Sequence, residues 1–197
     1  MTLTTGILLF DGAEELDYAG PWEVLTMARR SQDERVVAIA ETLDPVRSAK
    51  GLRVLADHTL ADAPPLDVLL VPGGKGTRRE VENAALTGWV AEVAKTATWV
   101  TSVCTGSFVL QAAGLTADKL ITTHWAAIDE LRQRAPDQEI DTEARWVVDG
   151  NLVTAAGVSA GIDMALWLVG QLYDVDHARF VQRAMQYDPA PPYQENI

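Results

Sequence analysis

Short apolar runs recur along the 197-residue chain, and segments with helical patterning separate them. Runs of this length without polar alternation are typical of parallel strands buried on both faces. The strand-like runs are residues 5–10, 35–41, 67–71 and 98–103, and the helical segments between them include 21–30 and 88–95. Pro21 would stand at the first position of its helix, where proline is tolerated. The alternation predicts an α/β fold, a flavodoxin-like three-layer sandwich with a mostly parallel central sheet, helices on both faces and right-handed crossovers.

Two segments, 46–55 and 145–154, do not fit the buried-strand pattern. The second places Asp149-Gly150-Asn151 between two short apolar runs, a turn signal that predicts a β-hairpin or a sheet edge. Near the C-terminus, residues 159–172 and 175–186 have helical patterns, and the prolines of 189–192 cannot continue a helix. Because no repeat or linker interrupts the chain, we expect residues 1–197 to form a single domain.

The net charge of −12 and the isoelectric point near 4.6 disfavour polyanionic partners, because phosphate contacts need clustered lysine and arginine. We therefore expect no nucleic-acid and no membrane partner. No apolar run approaches the ~20 residues of a membrane span, and the first residues lack the basic and apolar regions of a secretion signal. A single cysteine cannot form an internal disulfide. These features predict a cytoplasmic protein in a reducing compartment.

The one cysteine, Cys104, lies between a β-like segment, 97–103, and an apolar helical segment, 107–113. A sharp strand-to-helix turn lifts a side chain out of the sheet, which is the geometry of a nucleophile elbow. At a helix N-terminus, unpaired N–H groups and the helix dipole favour thiolate over thiol. A free cysteine is also commonly a small buried hydrophobe. The flanking pattern favours the nucleophile.

Two further turns follow strand-like runs, at the edge where open α/β sheets bind ligands. The first is 11–21, and the second contains Gly73 and Gly74. Backbone amides of Thr105 and of Gly73 or Gly74 are candidate donors to a developing anion. An ordinary turn after a buried strand explains the two glycines equally well.

A nucleophile needs a proton-transfer partner, and two residues are candidates. Asp17 lies in an apolar context just before Gly20-Pro21, where burial would raise its pKa and let it donate a proton near neutral pH. Most other acids of so acidic a chain are surface groups. Among the histidines His124, next to Trp125, is the best placed, although a packed structural role explains it as well. No histidine has metal-ligand spacing, so we expect no metal site.

In their order and spacing these motifs resemble the ThiJ/PfpI superfamily, whose fold is flavodoxin-like and related to class I glutamine amidotransferases. The resemblance spans nearly the whole chain. It rests on Leu16-Asp17 with Gly20-Pro21 and on residues 72–74, 101–106, 122–125, 149–152, 160–163 and 187–192. Within the superfamily, the chain is most similar to the isonitrile hydratases.

The resemblance implies that Cys104 is the nucleophile and Asp17 the catalytic carboxyl, with Thr105 next to the thiol. In isonitrile hydratases the thiolate attacks the terminal isocyanide carbon, water releases an N-substituted formamide from the thioimidate, and the carboxyl moves the protons. The resemblance also implies a small-molecule substrate, no cofactor and a homodimer. The shape of the substrate pocket is expected to depend on supporting side chains such as Tyr18, Trp22, His124, Trp125 and Val158.

The chain departs from the superfamily pattern at two positions. Many members carry glutamate in place of Asp17, and several peptidase-like members carry histidine where this chain has Thr105, which disfavours a Cys-His protease dyad. The sequence also ends at Ile197, which predicts that it lacks the DNA-binding domain of related regulators. Two other functions stay open: glyoxalase- or deglycase-like activity on reactive carbonyls, and a redox or stress sensor in which Cys104 oxidises to sulfenic or sulfinic acid.

Overall fold

The computed structural model describes residues 3–189, which contain nine strands. The strands are β1 (Thr4–Leu8), β2 (Arg35–Ala40), β3 (Val46–Arg47), β4 (Arg53–Val54), β5 (His58–Thr59), β6 (Val68–Val71), β7 (Trp99–Val103), β8 (Trp146–Asp149) and β9 (Leu152–Ala155). Seven of them form one sheet in the order β5-β2-β1-β6-β7-β9-β8, in which only β8 runs antiparallel to its neighbour. The predicted hairpin is therefore confirmed and lies at the sheet edge. Strands β3 and β4 form a separate antiparallel ribbon.

Helices cover the sheet, as predicted for a flavodoxin-like α/β fold. They are α1 (Glu15–Met27), α2 (Thr77–Glu80), α3 (Ala84–Ala94), α4 (Gly106–Ala112), α5 (Ile128–Arg134), α6 (Ala160–Leu172) and α7 (Val175–Ala184), with a 3₁₀ turn at Trp125–Ala127. Helices α1, α6 and α7 pack together through buried side chains such as Val24 and Leu168. Helices α3 and α4 pack Leu86 and Phe108 into a second, larger hydrophobic cluster. Among the described residues, no helix is long and apolar enough to span a membrane.

The carboxyl ends of three neighbouring strands lie side by side. Pairing of β6 with β7 places Val71 beside Ser102, and pairing of β7 with β9 places Val103 beside Ala155. The segments that leave these strands therefore meet at one edge of the sheet, where ligand crevices of open α/β folds form. Cys104 begins the middle one of the three.

Helix α1 begins at Glu15, six residues before the predicted start at Pro21, which lies inside it. A proline within a helix removes one backbone hydrogen bond. Burial of Tyr18 and Val24 against the rest of the fold offsets that loss, since tertiary packing routinely overrides propensity. As a consequence Asp17 lies in the first helical turn, and not in the loop that the sequence predicted.

Two other helices differ from their predicted bounds. Helix α3 begins at Ala84 and not at residue 88, because the Asn83 side chain accepts hydrogen bonds from the N–H groups of its first turn. Helix α7 ends at Ala184, two residues before the predicted end at residue 186. Its His177 is half-buried, and Nε2 of that residue lies 2.7 Å from the carbonyl oxygen of Ala28, at the end of α1. Except for residue 189, the predicted proline segment lies outside the described residues.

Candidate active site

Cys104 occupies the sharp turn between β7 and α4 that the sequence predicted. Its backbone φ is +56°, in the left-handed region, which costs a residue with a Cβ about 1–2 kcal/mol. Strain of this kind persists where the surrounding structure fixes it, and it clusters at functional sites. The Cys104 N–H donates to the carbonyls of Ala155 and Ala156, at 3.0 and 2.9 Å. Gly106 allows the first turn of α4 to approach β6, since a Cβ there would overlap the Val71 carbonyl oxygen.

The Asp17 carboxyl lies beside the Cys104 thiol and is fully buried. Its Oδ2 accepts a hydrogen bond of 2.9 Å from the Gly73 N–H. Its Oδ1 is buried and has no hydrogen-bond partner of ordinary geometry among the described residues. A Cβ on Gly73 would lie 2.8 Å from both Asp17 Oδ2 and Cys104 Cβ. Because glycine has no side chain, the Asp17 carboxyl and the Cys104 thiol can lie close together beside position 73.

Burial raises the pKa of Asp17 to about 7, although hydrogen bonds from Gly73 and from the Cys104 thiol act in the opposite direction. Burial also raises the pKa of Cys104 to about 11, and the neighbouring Asp17 charge adds to that rise. The predicted lowering of the thiol pKa was therefore wrong in direction. Hydrogen bonds from Thr105 and Val158 do lower it, but they do not outweigh desolvation. Near neutral pH the Cys104 thiol is therefore protonated, and the Asp17 carboxyl beside it exchanges between its protonated and ionised forms.

Backbone amides around the thiol are arranged differently from the prediction. The Gly73 N–H is bonded to Asp17, and the Gly74 N–H donates to Oγ1 of Thr105 at 3.0 Å. These two amides hold the side chains of the site, so the prediction that they face a developing anion needs correction. Backbone hydrogen bonds from Thr105 and Val158 instead lower the pKa of the Cys104 thiol, and donation by the Thr105 amide to a developing anion stays a prediction.

Val158 contributes its backbone, whereas the sequence suggested its side chain. It precedes α6, in the segment that leaves β9, with a strained φ of +43°. Its N–H hydrogen-bonds to the Cys104 sulfur. The sequence signal was a run of small residues, 155–157, at the end of a strand, which is the same strand-to-helix pattern that identified Cys104.

His124 supports the segment that carries Val158. Its Nδ1 accepts a hydrogen bond of 3.1 Å from the Ala126 N–H, and its ring packs so closely on Gly157 that a Cβ there would lie 3.0 Å from Nε2. Burial and then the charge of Arg78 lower the His124 pKa. These contacts favour the packed structural interpretation that the sequence left open.

Two of the aromatic residues predicted near the pocket, Tyr18 and Trp125, have different environments. The Tyr18 hydroxyl is buried and lies 2.8 Å from Oγ of Ser48. Trp125 is 76% exposed, in the 3₁₀ turn after His124. Tyr18 thus joins α1 to the segment between β3 and β4, and Trp125 presents an apolar surface.

Comparison with known proteins identifies the family. The profile of the DJ-1/PfpI family matches residues 5–171. The chain belongs to the DJ-1/PfpI family. This confirms the resemblance to the ThiJ/PfpI superfamily, and the match covers every segment that supplies the elbow, the carboxyl and their hydrogen-bond partners.

Within the DJ-1/PfpI family the chain is 43% identical to the isonitrile hydratase of Pseudomonas putida over 193 residues, 98% of this chain and 82% of that protein. The crystal structure of a ThiJ/PfpI family protein from Pseudomonas syringae has a TM-score of 0.90 and 35% identity, covering 98% of this chain and 78% of that one. Drosophila melanogaster DJ-1beta, at 21% identity, shares the fold with a TM-score of 0.83 over 96% of this chain and all of that one.

Three buried hydroxyls that the sequence did not single out surround Cys104 in this DJ-1/PfpI protein. Thr123 and Ser107 donate to the Cys104 carbonyl, at 2.9 and 3.2 Å, and Thr77 Oγ1 lies 3.1 Å from Oγ1 of Thr105. Neighbouring threonines at 122–123 were visible in the sequence, but no spacing rule connects them to position 104. No group of three or more metal-binding side chains occurs within residues 3–189.

Proposed function

We propose that this protein is a cysteine-dependent hydratase that adds water to an isocyanide and releases an N-substituted formamide through a covalent thioimidate. The proposal rests on the pairing of the Cys104 thiol with the buried Asp17 carboxyl, whose pKa near 7 suits it to moving protons at neutral pH. The similarity to the Pseudomonas putida isonitrile hydratase supports the substrate class.

In the first step Cys104 is the nucleophile and Asp17 the base. The ionised carboxyl accepts the thiol proton, and Sγ bonds to the terminal carbon of the isocyanide R–N≡C. The proton held by Asp17 then passes to that same carbon. The product is the thioimidate R–N=CH–S–Cys, which contains every atom of isocyanide and thiol, and Asp17 is again ionised.

The second step regenerates the thiol. Asp17 accepts a proton from water, the hydroxide bonds to the thioimidate carbon, and the nitrogen takes up the proton. The C–S bond then breaks, the hydroxyl proton passes through Asp17 to the sulfur, and the formamide R–NH–CHO leaves. Donors to the sulfur from Thr105 and Val158 stabilise the departing thiolate. The sum is one isocyanide and one water converted to one formamide.

The direct test incubates the purified protein with an aryl isocyanide and measures formamide by chromatography. Cys104→Ala is expected to abolish turnover while circular dichroism and urea unfolding stay close to wild type. With wild-type protein and a slow substrate, intact-mass spectrometry should show the mass of the added isocyanide on the chain. Wild-type protein that is inert toward several aryl and alkyl isocyanides overturns the proposal.

The same protein preparation separates the alternatives. Loss of methylglyoxal without glutathione, in the absence of isocyanide turnover, would assign a glyoxalase-like activity. A redox sensor needs a thiol that oxidises readily, and reactive sensor cysteines are exposed and have lowered pKa values. Burial and a raised pKa do not favour a sensor cysteine, and the similarity to an isonitrile hydratase supports hydration as the function.

A further inference from the structure

The carbonyl oxygen of Gly74, next to the site, is surrounded by four donors. The Thr77 N–H and Oγ1 lie 3.2 and 2.8 Å from it, the Thr105 hydroxyl 3.1 Å, and Nη1 of Arg78 3.3 Å. A carbonyl oxygen has two lone pairs. The donors therefore compete. The one proton of the Thr77 hydroxyl has two acceptors, this carbonyl at 2.8 Å and Thr105 Oγ1 at 3.1 Å, and the shorter distance favours the carbonyl. There the Thr77 hydroxyl has the advantage over the Thr105 hydroxyl, which lies 3.1 Å away.

The Thr105 hydroxyl carries one proton and has two acceptors for it. One is the Gly74 carbonyl, and the other is the Cys104 sulfur, whose pKa a hydrogen bond from this hydroxyl lowers. The Gly74 N–H already donates to Thr105 Oγ1 at 3.0 Å, which fixes the position of the oxygen. The donor that bonds to the Gly74 carbonyl therefore determines whether the Thr105 hydroxyl donates to that carbonyl or to the Cys104 sulfur.

We propose that Thr77 is a positioning residue for the nucleophile, whose hydroxyl occupies the Gly74 carbonyl and so directs the Thr105 hydroxyl to the Cys104 sulfur. Thr77 is fully buried and acts through Thr105, whose Oγ1 is 3.1 Å from its own. Arg78, held by the Glu130 carboxylate at 3.1 and 3.2 Å, adds a further donor to the same carbonyl. The inference rests on the proposed role of Cys104 as the nucleophile.

A purely structural role for Thr77 predicts a different result for its variants. Its hydroxyl bonds to the carbonyl three residues earlier, a common local arrangement at the start of a helix such as α2. If that were its whole role, replacing it would change stability alone. The reactivity of the sulfur at a given pH would stay the same.

The test measures alkylation of Cys104 by iodoacetamide as a function of pH, using intact mass. Because the chain has one cysteine, each added mass reports on this residue alone. Thr77→Val is expected to slow alkylation about 10-fold at fixed mildly alkaline pH and to move the profile to higher pH by about one unit, the effect of losing one hydrogen bond to a charged group. Thr77→Ser, which keeps the hydroxyl, is expected to retain the wild-type profile.

Three further variants sharpen the result. Thr87→Val is the matched control, since the half-buried Thr87 hydroxyl also bonds to a carbonyl of the preceding turn, that of Asn83, at 3.0 Å. It is expected to leave the profile unchanged. Thr77→Ala also lacks the hydroxyl and creates no steric conflict, so it gives the same shift if the valine variant does not fold. In a Thr105→Val background, Thr77→Val is expected to have no additional effect.

The outcomes separate this inference from the proposed function. An unchanged profile in Thr77→Val or Thr77→Ala, or an equal shift with and without the Thr105 hydroxyl, overturns the positioning role. If wild-type protein hydrates no isocyanide while the shift is present and depends on Thr105, the proposed function fails and the positioning role stands. The Asp17 charge faces the sulfur in every variant, so it does not account for a difference between them.

Discussion

The Gly73 N–H donates a hydrogen bond of 2.9 Å to Oδ2 of Asp17, and so joins the turn after β6 to the first turn of α1. A backbone group thus holds the carboxyl, and no other side chain is needed to orient that oxygen. With Oδ2 engaged, Oδ1 is the oxygen left for proton exchange with the thiol. The geometry of the proposed proton transfer depends on how closely the backbone at position 73 approaches Asp17 and Cys104.

Gly73→Ala is expected to disable the site. Its Cβ would lie 2.5 Å from the Thr105 N and 2.8 Å from both Asp17 Oδ2 and Cys104 Cβ, so carboxyl and thiol must move apart. We expect hydration to fall by at least about 100-fold, since small displacements of reacting groups have effects of this size, and the free energy of unfolding to fall by about 1–3 kcal/mol. Steady-state kinetics and urea unfolding measure the two effects.

Gly88→Ala is the matched control. Gly88 lies on the exposed surface of α3, and a Cβ there would meet nothing within 4 Å. It should stabilise the protein by about 0.5–1 kcal/mol, because alanine is the better helix former, and leave turnover intact. Wild-type turnover in Gly73→Ala would show that the site tolerates a side chain between carboxyl and thiol.

Asp17→Asn is expected to change how stability depends on pH. The pKa of Asp17 is about 7 in the folded protein and 3.8 as its ordinary value. Between these values the folded state binds the proton and the unfolded state does not, so the wild-type free energy of unfolding falls as pH rises, by about 1.4 kcal/mol per unit from this group. The asparagine variant lacks this slope and keeps an oxygen for the Gly73 N–H.

The measurement is urea unfolding of wild type and Asp17→Asn at several pH values within that window. The variant should become progressively more stable relative to wild type as pH rises, with most of the gain complete above the folded pKa. A constant difference across the window would mean that the carboxyl titrates near its ordinary value in the folded state.

Turnover is expected to rise with pH through about 7 in the wild type, because Asp17 must be ionised to accept the thiol proton. Asp17→Asn should reduce turnover by about 100- to 10,000-fold and remove that rise. Alkylation of Cys104 should respond in the opposite sense at alkaline pH: without the Asp17 charge the thiol pKa falls, so the alkylation profile moves to lower pH. If the turnover of Asp17→Asn still rises with pH at the wild-type midpoint, the group that titrates is not Asp17.

The sheet and the elbow could be predicted from the sequence because their signals are local. Apolar runs identify buried strands wherever they occur, and the run from Thr101 to Gly106 contains both sides of the turn at Cys104. The hairpin at 149–151 follows from turn chemistry alone. The local context of Asp17 made it one of two candidates for proton transfer, and the family resemblance implied the role of catalytic carboxyl, which its spacing from Cys104 did not reveal.

What could not be predicted depends on distances between segments. Burial of Asp17 follows from contacts with Gly73, 56 residues away along the chain. The thiol pKa is set by a balance between helix N–H groups, visible in the sequence, and desolvation, which is not. The hydroxyl of Thr77 reaches Thr105 across 28 residues, and only the packing of α2 against α4 brings them together.

Gly157→Ala is expected to act on the site through His124, and a double-mutant cycle can show it. A Cβ at position 157 would overlap Cδ2 of the His124 ring, so either the ring or the segment carrying Val158 must shift. A shifted Val158 amide no longer reaches the Cys104 sulfur, so turnover should fall about 10-fold, the effect of losing one hydrogen bond to a charged group.

In a His124→Ala background the ring is absent, and the added methyl has room. The two substitutions should therefore couple by about 0.5–3 kcal/mol in urea unfolding, with the double variant more stable than the sum of single effects predicts. If the two changes in unfolding free energy are strictly additive, the backbone around Gly157, and not the His124 ring, limits the room for a Cβ at that position.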